Sequence, residues 1–211
     1  MRHGAATAAP ARPAVFLDKD GTLVEDVPYN ADPARLRFTR RALPALQSLQ
    51  RAGYALVVVS NQPGLALGYF SAAQFGVLQQ ALQRRLREEG GVALDGFFFC
   101  PHAPGAGCEC RKPAPGLLLQ AEAALGLNLA RSWMVGDILN DVEAGQRAGC
   151  RTVLLDVGHE TLWQFSPLRR PRHRAKDLLD TANFILGSDE MTENMHMHGP
   201  DPAAAAAEVL P

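Results

Sequence analysis

Five short apolar runs without polar alternation mark the chain: Ala14 to Asp18, Ala55 to Asn61, Gly96 to Cys100, Ser132 to Asp137 and Arg151 to Val157. Runs of this length, lacking the every-other polar residue of a half-solvated strand, predict strands buried on both faces. Between them the apolar positions recur every three or four residues, the spacing of a helix with one buried side. Arg40 to Ala52 carries Leu43, Leu46 and Leu49 on one side. Ser71 to Glu89 opens on Ser71 as an N-cap and aligns Phe75, Leu78, Leu82 and Leu86. Pro115 to Leu125, and Leu139 to Ala148 closed by Gly149, complete the alternation. Strands alternating with helices predict an α/β fold: a three-layer, Rossmann-like parallel sheet with helices on both faces, spanning residues 14–187. Residues 1–13 read as a flexible leader. Residues 188–211 hold few large apolar side chains and no periodicity, and read as a disordered tail.

Composition narrows the classes of partner. Hydrophobic residues make up 47% of the 211 and charged residues 20%, the balance of an ordinary globular chain with one core. With 21 basic against 22 acidic residues there is no general attraction to nucleic acid or to an anionic membrane, so neither is expected as a partner. No apolar run approaches the roughly 18 residues that span a bilayer. The N-terminus has no hydrophobic segment of a secretory signal. A cytoplasmic location follows as the expectation, and there thiols stay reduced. Cys100, Cys108 and Cys110, clustered with His102, then suggest metal or catalytic chemistry rather than disulfides. Cys150 reads as an inert core thiol, and His196 and His198 as solvated tail residues.

Ligands of open parallel sheets bind beyond the carboxyl ends of the strands, so the residues there carry the chemistry. The first predicted strand ends on Asp18, with Asp20 two positions on and Gly21 available for a sharp turn. The second ends on Ser60, Asn61 and Gln62, and the fourth on Asp137 with Asp141 four residues later. The loop after the third supplies Arg111 and Lys112. Each cluster alone has a plainer reading: a turn held by aspartate side chains, a helix N-cap at Asp137, a solvated pair of cations. Acids without bases would suggest a bare metal site, and bases alone an anion site. Both together, in order at successive strand ends, suit a small phosphorylated metabolite bridged by Mg²⁺.

The four segments DKDGT, VVVSNQ, RKP and GDILND, running from Asp18 to Asp141, resemble the motif set of the haloacid dehalogenase-like (HAD) phosphohydrolases. The resemblance implies a Rossmann-like domain, Mg²⁺ and an aspartyl-phosphate intermediate. It implies Asp18 as nucleophile and Asp20 as general acid/base, with Asp18, Asp137 and the Asp20 backbone carbonyl around Mg²⁺. Ser60 and Lys112 would hold phosphoryl oxygens. The stretches from Asp20 to Ser60 and from Ser71 to Arg111 are too short for a large cap domain. That matches the small-capped branch containing histidinol-phosphate and heptose-bisphosphate phosphatases. Those groups share a zinc loop of the form Cys-x-His…Cys-x-Cys before Arg-Lys-Pro, present here as Cys100, His102, Cys108 and Cys110, a closed structural Zn²⁺ set. The short span from His102 to Cys108 resembles the histidinol-phosphate enzymes, whereas RKPAPG and the wording around VVVSNQ and GDILND resemble the heptose group. Pro63, Gly64, Leu67 and Ile138 depart from it. Asp26, Tyr29, Asn61, Gln62 and Arg111 are the candidates for contacting the rest of the substrate. The expectation is a monomeric phosphatase acting on the 7-phosphate of a heptose 1,7-bisphosphate. Behind it stand histidinol phosphate, then a nucleic-acid 3′-phosphatase or a non-catalytic zinc-stapled module.

Overall fold

The computed structural model describes residues 11–164 and 166–197, with side chains described to residue 189. Six parallel strands form one sheet: β1 (Ala14–Leu17), β2 (Ala55–Asn61), β3 (Gly96–Cys100), β4 (Trp133–Gly136), β5 (Arg151–Leu155) and β6 (His173–Ala175). Their spatial order is β3-β2-β1-β4-β5-β6. The chain therefore runs outward from β1 through β2 to β3, returns to the other side of β1 as β4, and runs outward again. That reversal leaves a crevice between β1 and β4, where their backbones are in register from Val15↔Trp133 to Leu17↔Val135.

Five helices cover the sheet: α1 (Ala42–Arg51), α2 (Ala72–Gly90), α3 (Gly116–Leu125), α4 (Leu139–Arg147) and α5 (Leu178–Met197). Alternate strand residues face opposite layers. Val15, Leu17, Leu56, Val58 and Val135 pack against α1, α2 and α5 through Leu46, Leu82 and Ile185. Ala14, Phe16, Val57, Val59 and Met134 pack on the other side against Leu117 and Leu118 of α3 and Ala144 of α4. Every residue of β1 is buried, as its unbroken apolar run requires. The α2 start is a reciprocal cap: Gln74 N donates to Ser71 Oγ at 3.2 Å and Ser71 N to Gln74 Oε1 at 2.8 Å.

β6 and α5 are additions to the predicted elements. β6 is three residues, His-Arg-Ala, with no apolar run to announce it. α5 continues ten residues past the end expected for the folded part. Nothing between Gly187 and Gly199 breaks a helix, and Asp189 is tied to the domain by Arg151 Nη1 at 3.1 Å and by the Tyr54 hydroxyl. The end of the leader is tied down too. The Arg12 guanidinium donates to Asp95 Oδ1 at 2.9 Å and to the Gly53 and Tyr54 carbonyls. Residues 1–10 and 198–211, with His198, lie outside the described residues.

α4 lies close enough to the sheet that Gly145 has no room for a side chain. A Cβ there would sit 2.5 Å from Met134 Cβ and 2.8 Å from Thr152 Cγ2. Gly145→Ala should gain about 1 kcal/mol of helix propensity and lose about 1–3 kcal/mol to overpacking. The expected result is a lower denaturation midpoint; an equal or higher midpoint would show that α4 can move away from the sheet freely.

Candidate active site

Asp18 is the first residue beyond β1, and its backbone N–H donates to Val135 O at 2.9 Å, so the nucleophile candidate is stitched to β4. The chain then turns at Gly21 with φ +84°. A Cβ at Gly21 would lie 2.4 Å from Asp137 Oδ2, so only glycine lets this turn rest on the end of β4. Thr22 Oγ1 lies 3.2 Å from Asp137 Oδ1 and donates to it. Lys112 arrives from the opposite side, at the end of the loop after β3. The Asn61 amide clamps its backbone, donating to Lys112 O at 3.1 Å and accepting from Lys112 N at 3.0 Å.

The Lys112 ammonium is 2% exposed and reaches three oxygens: Asp18 Oδ1 at 2.5 Å, Asp141 Oδ1 at 2.7 Å and Val59 O at 2.9 Å. Two of these contacts are hydrogen bonds, to Asp18 Oδ1 and Val59 O, whereas Asp141 Oδ1 is an ion-pair partner at 2.7 Å that accepts no hydrogen bond. The two carboxylates raise its pKa above the ordinary lysine value in spite of burial.

Asp18, Asp137 and Asp141 bring carboxylate oxygens within 4.8 Å of one another. Three carboxylates around one ammonium leave an excess of negative charge in a buried place. Burial pushes Asp18 up to about 7 against the pull of Lys112, and Asp141 and Asp20 push the same way. Burial, then the Asp18 charge, pushes Asp137 up to about 6, and burial raises Asp141 as well. Hard oxygen donors with surplus negative charge are the chemistry of a site for a hard divalent cation. Asp20 stands beside the cluster, its Oδ1 accepting from Lys19 Nζ at 2.5 Å and its Oδ2 from Gln62 Nε2 at 2.9 Å. These residues, with Ser60, Asp26, Ile138 and His159, line a cleft of about 260 Å³.

A second donor set lies on the loop between β3 and Lys112. Cys100 Sγ is 3.6 Å from Cys108 Sγ and 3.5 Å from His102 Nδ1. Cys110 Sγ is 3.6 Å from Cys108 Sγ and 3.3 Å from His102 Nδ1. A zinc tetrahedron with Zn–S of about 2.3 Å and Zn–N of about 2.0 Å has S···S edges of about 3.8 Å and S···N edges of about 3.5 Å. Four of the six donor–donor separations are thus close to the edges of such a figure, and all four donor atoms lie within 4.8 Å of one another. Burial, then the crowding of Cys100 and Cys108, pushes the Cys110 thiol up to about 12, a penalty that a bound cation would remove.

The structure gathers Asp18, Asp20, Asp26, Ser60, Asn61, Lys112 and Asp137 on one cleft. Not every polar group of the predicted set is turned to the cleft. Asn61 uses its amide on the Lys112 backbone, and Gln62 is buried against Asp20 and Ser60, donating to Ser60 Oγ at 2.9 Å. Tyr29 is half exposed in a neighbouring groove, its ring tilted 39° against that of Tyr69 with centroids 4.3 Å apart. Arg111 Nη1 donates to His102 O at 3.5 Å, on the thiol loop. Three residues enter that sequence reasoning left without a role. Asp141 is a counter-ion of Lys112, which its position one helical turn after Asp137 on α4 makes intelligible. Lys19 pairs with Asp20. His159, whose Nδ1 lies 2.8 Å from Asp137 Oδ2, comes from the loop after β5, and no local spacing announces it.

Comparisons with known proteins identify the family. The HAD-hydrolase-like family model matches residues 109–181. A D-glycero-beta-D-manno-heptose-1,7-bisphosphate 7-phosphatase of Haemophilus ducreyi is 45% identical over 148 residues, 67% of this chain and 81% of that protein. Its counterpart in Yersinia pestis is 41% identical over 150 residues, 68% of this chain and 79% of that protein. Among solved structures, the D,D-heptose 1,7-bisphosphate phosphatase of B. bronchiseptica, complexed with magnesium and phosphate, superposes with a TM-score of 0.71 at 28% identity. That match covers 84% of this chain and 99% of the other. A sheet that reverses direction at β1, carboxylates gathered at that reversal, and relatives of this identity and coverage lead to one conclusion: the chain belongs to the HAD-like phosphatases.

Proposed function

We propose that this chain is a Mg²⁺-dependent phosphomonoesterase that removes the 7-phosphate of D-glycero-β-D-manno-heptose 1,7-bisphosphate through an aspartyl-phosphate on Asp18. The observation that carries the reading is the placement of Asp18, held through Oδ1 by Lys112 and set against Asp137 where β1 and β4 part. Support for the substrate comes from the relatives, which bear that activity in their names at 41–45% identity. Asp18, Asp137 and the Asp20 backbone carbonyl are the ligands assigned to Mg²⁺, which when bound offsets the repulsion between carboxylate and phosphate.

With Oδ1 fixed on Lys112, Asp18 presents Oδ2 to phosphorus. The P–O bond to the sugar breaks as the new P–Oδ2 bond forms, and Asp20 protonates the departing alkoxide. Asp20 then takes a proton from water, which attacks the aspartyl-phosphate, freeing phosphate and restoring Asp18. Gln62, bound to both Asp20 and Ser60, keeps the acid/base beside the residue assigned to a phosphoryl oxygen. The zinc assigned to Cys100, His102, Cys108 and Cys110 takes no chemical part. When bound, it would brace the loop from which Arg111 and Lys112 leave.

Three measurements test this reading. Asp20→Asn should bind substrate much as before and lose about 10²- to 10⁴-fold in kcat on the heptose bisphosphate. Asp18→Asn should abolish turnover, and near-normal activity in it would sink the mechanism. The same assay with histidinol phosphate decides the substrate: the heptose bisphosphate should show the higher kcat/KM.

The second measurement is of stability against pH. Asp18 and Asp137 hold their protons more tightly folded, at about 7 and about 6, than their ordinary value of 3.8. Their cost to the metal-free protein is absent below about pH 4, grows as pH rises toward about 7, and is constant above. Mg²⁺ needs them ionised. The rise in melting temperature on adding Mg²⁺ should therefore be larger at about pH 8 than at about pH 5.5. An equal rise at both would place the cation elsewhere.

The third is removal of zinc from the protein. A stripped protein should melt several degrees lower and show a raised KM with kcat less affected. Unchanged melting temperature and KM would deny the thiol loop its bracing role.

A further inference from the structure

The last wall of the cleft is the loop after β5, residues 156–164, and it is fastened to the site at two points. His159 Nδ1 lies 2.8 Å from Asp137 Oδ2, and Glu160 Oε2 accepts from Leu139 N at 2.6 Å. Both contacts bear on residues 137–139, where β4 passes into α4. Ile138 at the N-cap position has no side-chain oxygen, so the helix's own cap is limited to Asp141 Oδ2, which accepts from Ile138 N at 3.4 Å. The first N–H of α4 is met instead by a carboxylate 21 residues downstream, at the end of the helix that favours negative charge.

Asp137 is thus held on both oxygens: Thr22 Oγ1 on Oδ1 and His159 Nδ1 on Oδ2. An ionised carboxylate only accepts, so Nδ1 carries the proton of that bond. The Gly21 turn closes the third side, since a Cβ there would lie 2.4 Å from Asp137 Oδ2 and 2.6 Å from His159 Nδ1. The carboxylate has little room to rotate. Each oxygen keeps a further lone pair, so the two hydrogen bonds fix its plane and leave it free to ligate.

We propose that His159 is a positioning residue for the divalent-cation site. It orients Asp137 for the metal, and Glu160 docks the loop that brings it there. The inference rests on the Mg²⁺ reading above. A partner that sets the angle of a ligating carboxylate acts on metal affinity, and losing such a partner typically weakens affinity about 10- to 100-fold. His159 is 39% exposed on its side chain and contributes nothing to the core, so its effect should not arise from general loosening of the fold.

The test is a Mg²⁺ titration of the full chain followed by melting temperature, for the wild type, His159→Ala, His159→Asn and Glu160→Ala. The asparagine amide can place an N–H where Nδ1 stood. His159→Ala should need roughly tenfold or more Mg²⁺ for half of its thermal shift, and His159→Asn should return most of the way to wild type. Glu160→Ala should fall between the two. At saturating Mg²⁺ the kcat of His159→Ala should approach that of the wild type. A His159→Ala protein with the wild-type Mg²⁺ dependence overturns the proposal while the phosphatase reading stands. A wild type whose melting ignores Mg²⁺ removes the cation reading and this inference with it. Should His159→Ala fail to fold, an unchanged Mg²⁺ dependence in Glu160→Ala overturns the proposal instead.

Discussion

Lys112 sets the terms for everything around it. An ammonium taken out of water costs several kcal/mol unless charge and hydrogen bonds replace its hydration. Here Asp18, Asp141 and the Val59 carbonyl do so, at 2.5, 2.7 and 2.9 Å. Removing one partner of a buried pair typically costs about 3–5 kcal/mol because the survivor is stranded. Asp18 is therefore tied to Lys112 by stability as well as by any catalytic role. The arrangement still does not balance, since Asp137 adds a third carboxylate that Lys112 does not neutralise. Burial first, and the mutual repulsion of the carboxylates after it, raises the pKa values of Asp18, Asp137 and Asp141. Three buried carboxylates against one ammonium make a donor set that suits a hard divalent cation.

That interaction needs groups from distant parts of the chain to meet within a few tenths of an ångström. Sheet order does the first part, because the reversal at β1 places the ends of β1 and β4 side by side. Backbone hydrogen bonds do the next, from Asp18 N to Val135 O and from the Asn61 amide to both main-chain groups of Lys112. The thiol loop does the rest, since Cys110 lies two residues before Lys112. Rigid strands and a braced loop are the settings that hold catalytic groups in place.

How far the sequence foretells this depends on whether a feature is local. Asp18, Asp20, Ser60 and Asp137 lie at or just past the ends of buried apolar runs, so their convergence could be reasoned from the rules of parallel sheets. The four thiol-loop donors fall within eleven residues and are visible as a group. Asp141 was visible as a residue but not as a counter-ion, because that needs the orientation of α4 toward Lys112. His159 and Glu160 act across 22 and 21 residues through a loop whose course no periodicity describes. β6 was missed for a related reason: as an edge strand of three residues it needs no apolar run, and its pairing with β5 alone defines it. α5 runs on past Gly187, and Asp189 within it is anchored by Arg151 and Tyr54, contacts that no composition count describes.

The two donor sets divide by chemistry although they flank the same lysine. Three sulfurs and an imidazole nitrogen favour a soft or borderline ion such as Zn²⁺ and offer little to Mg²⁺. Carboxylate oxygens beside a fixed ammonium favour a small hard cation that keeps some of its water. The thiol set is closed, with four protein donors and no place for substrate. The carboxylate set opens on the cleft, and there a phosphate oxygen can join the coordination sphere. Exchanging the ions would fail in both directions: Mg²⁺ would not brace the loop, and Zn²⁺ on the carboxylates would prefer four ligands where an octahedral ion accepts six. The excess negative charge at Asp18, Asp137 and Asp141 therefore does more than attract a dication. Set beside Lys112 and offered through carboxylate oxygens, it suits the kind of ion that can share its coordination with a phosphate.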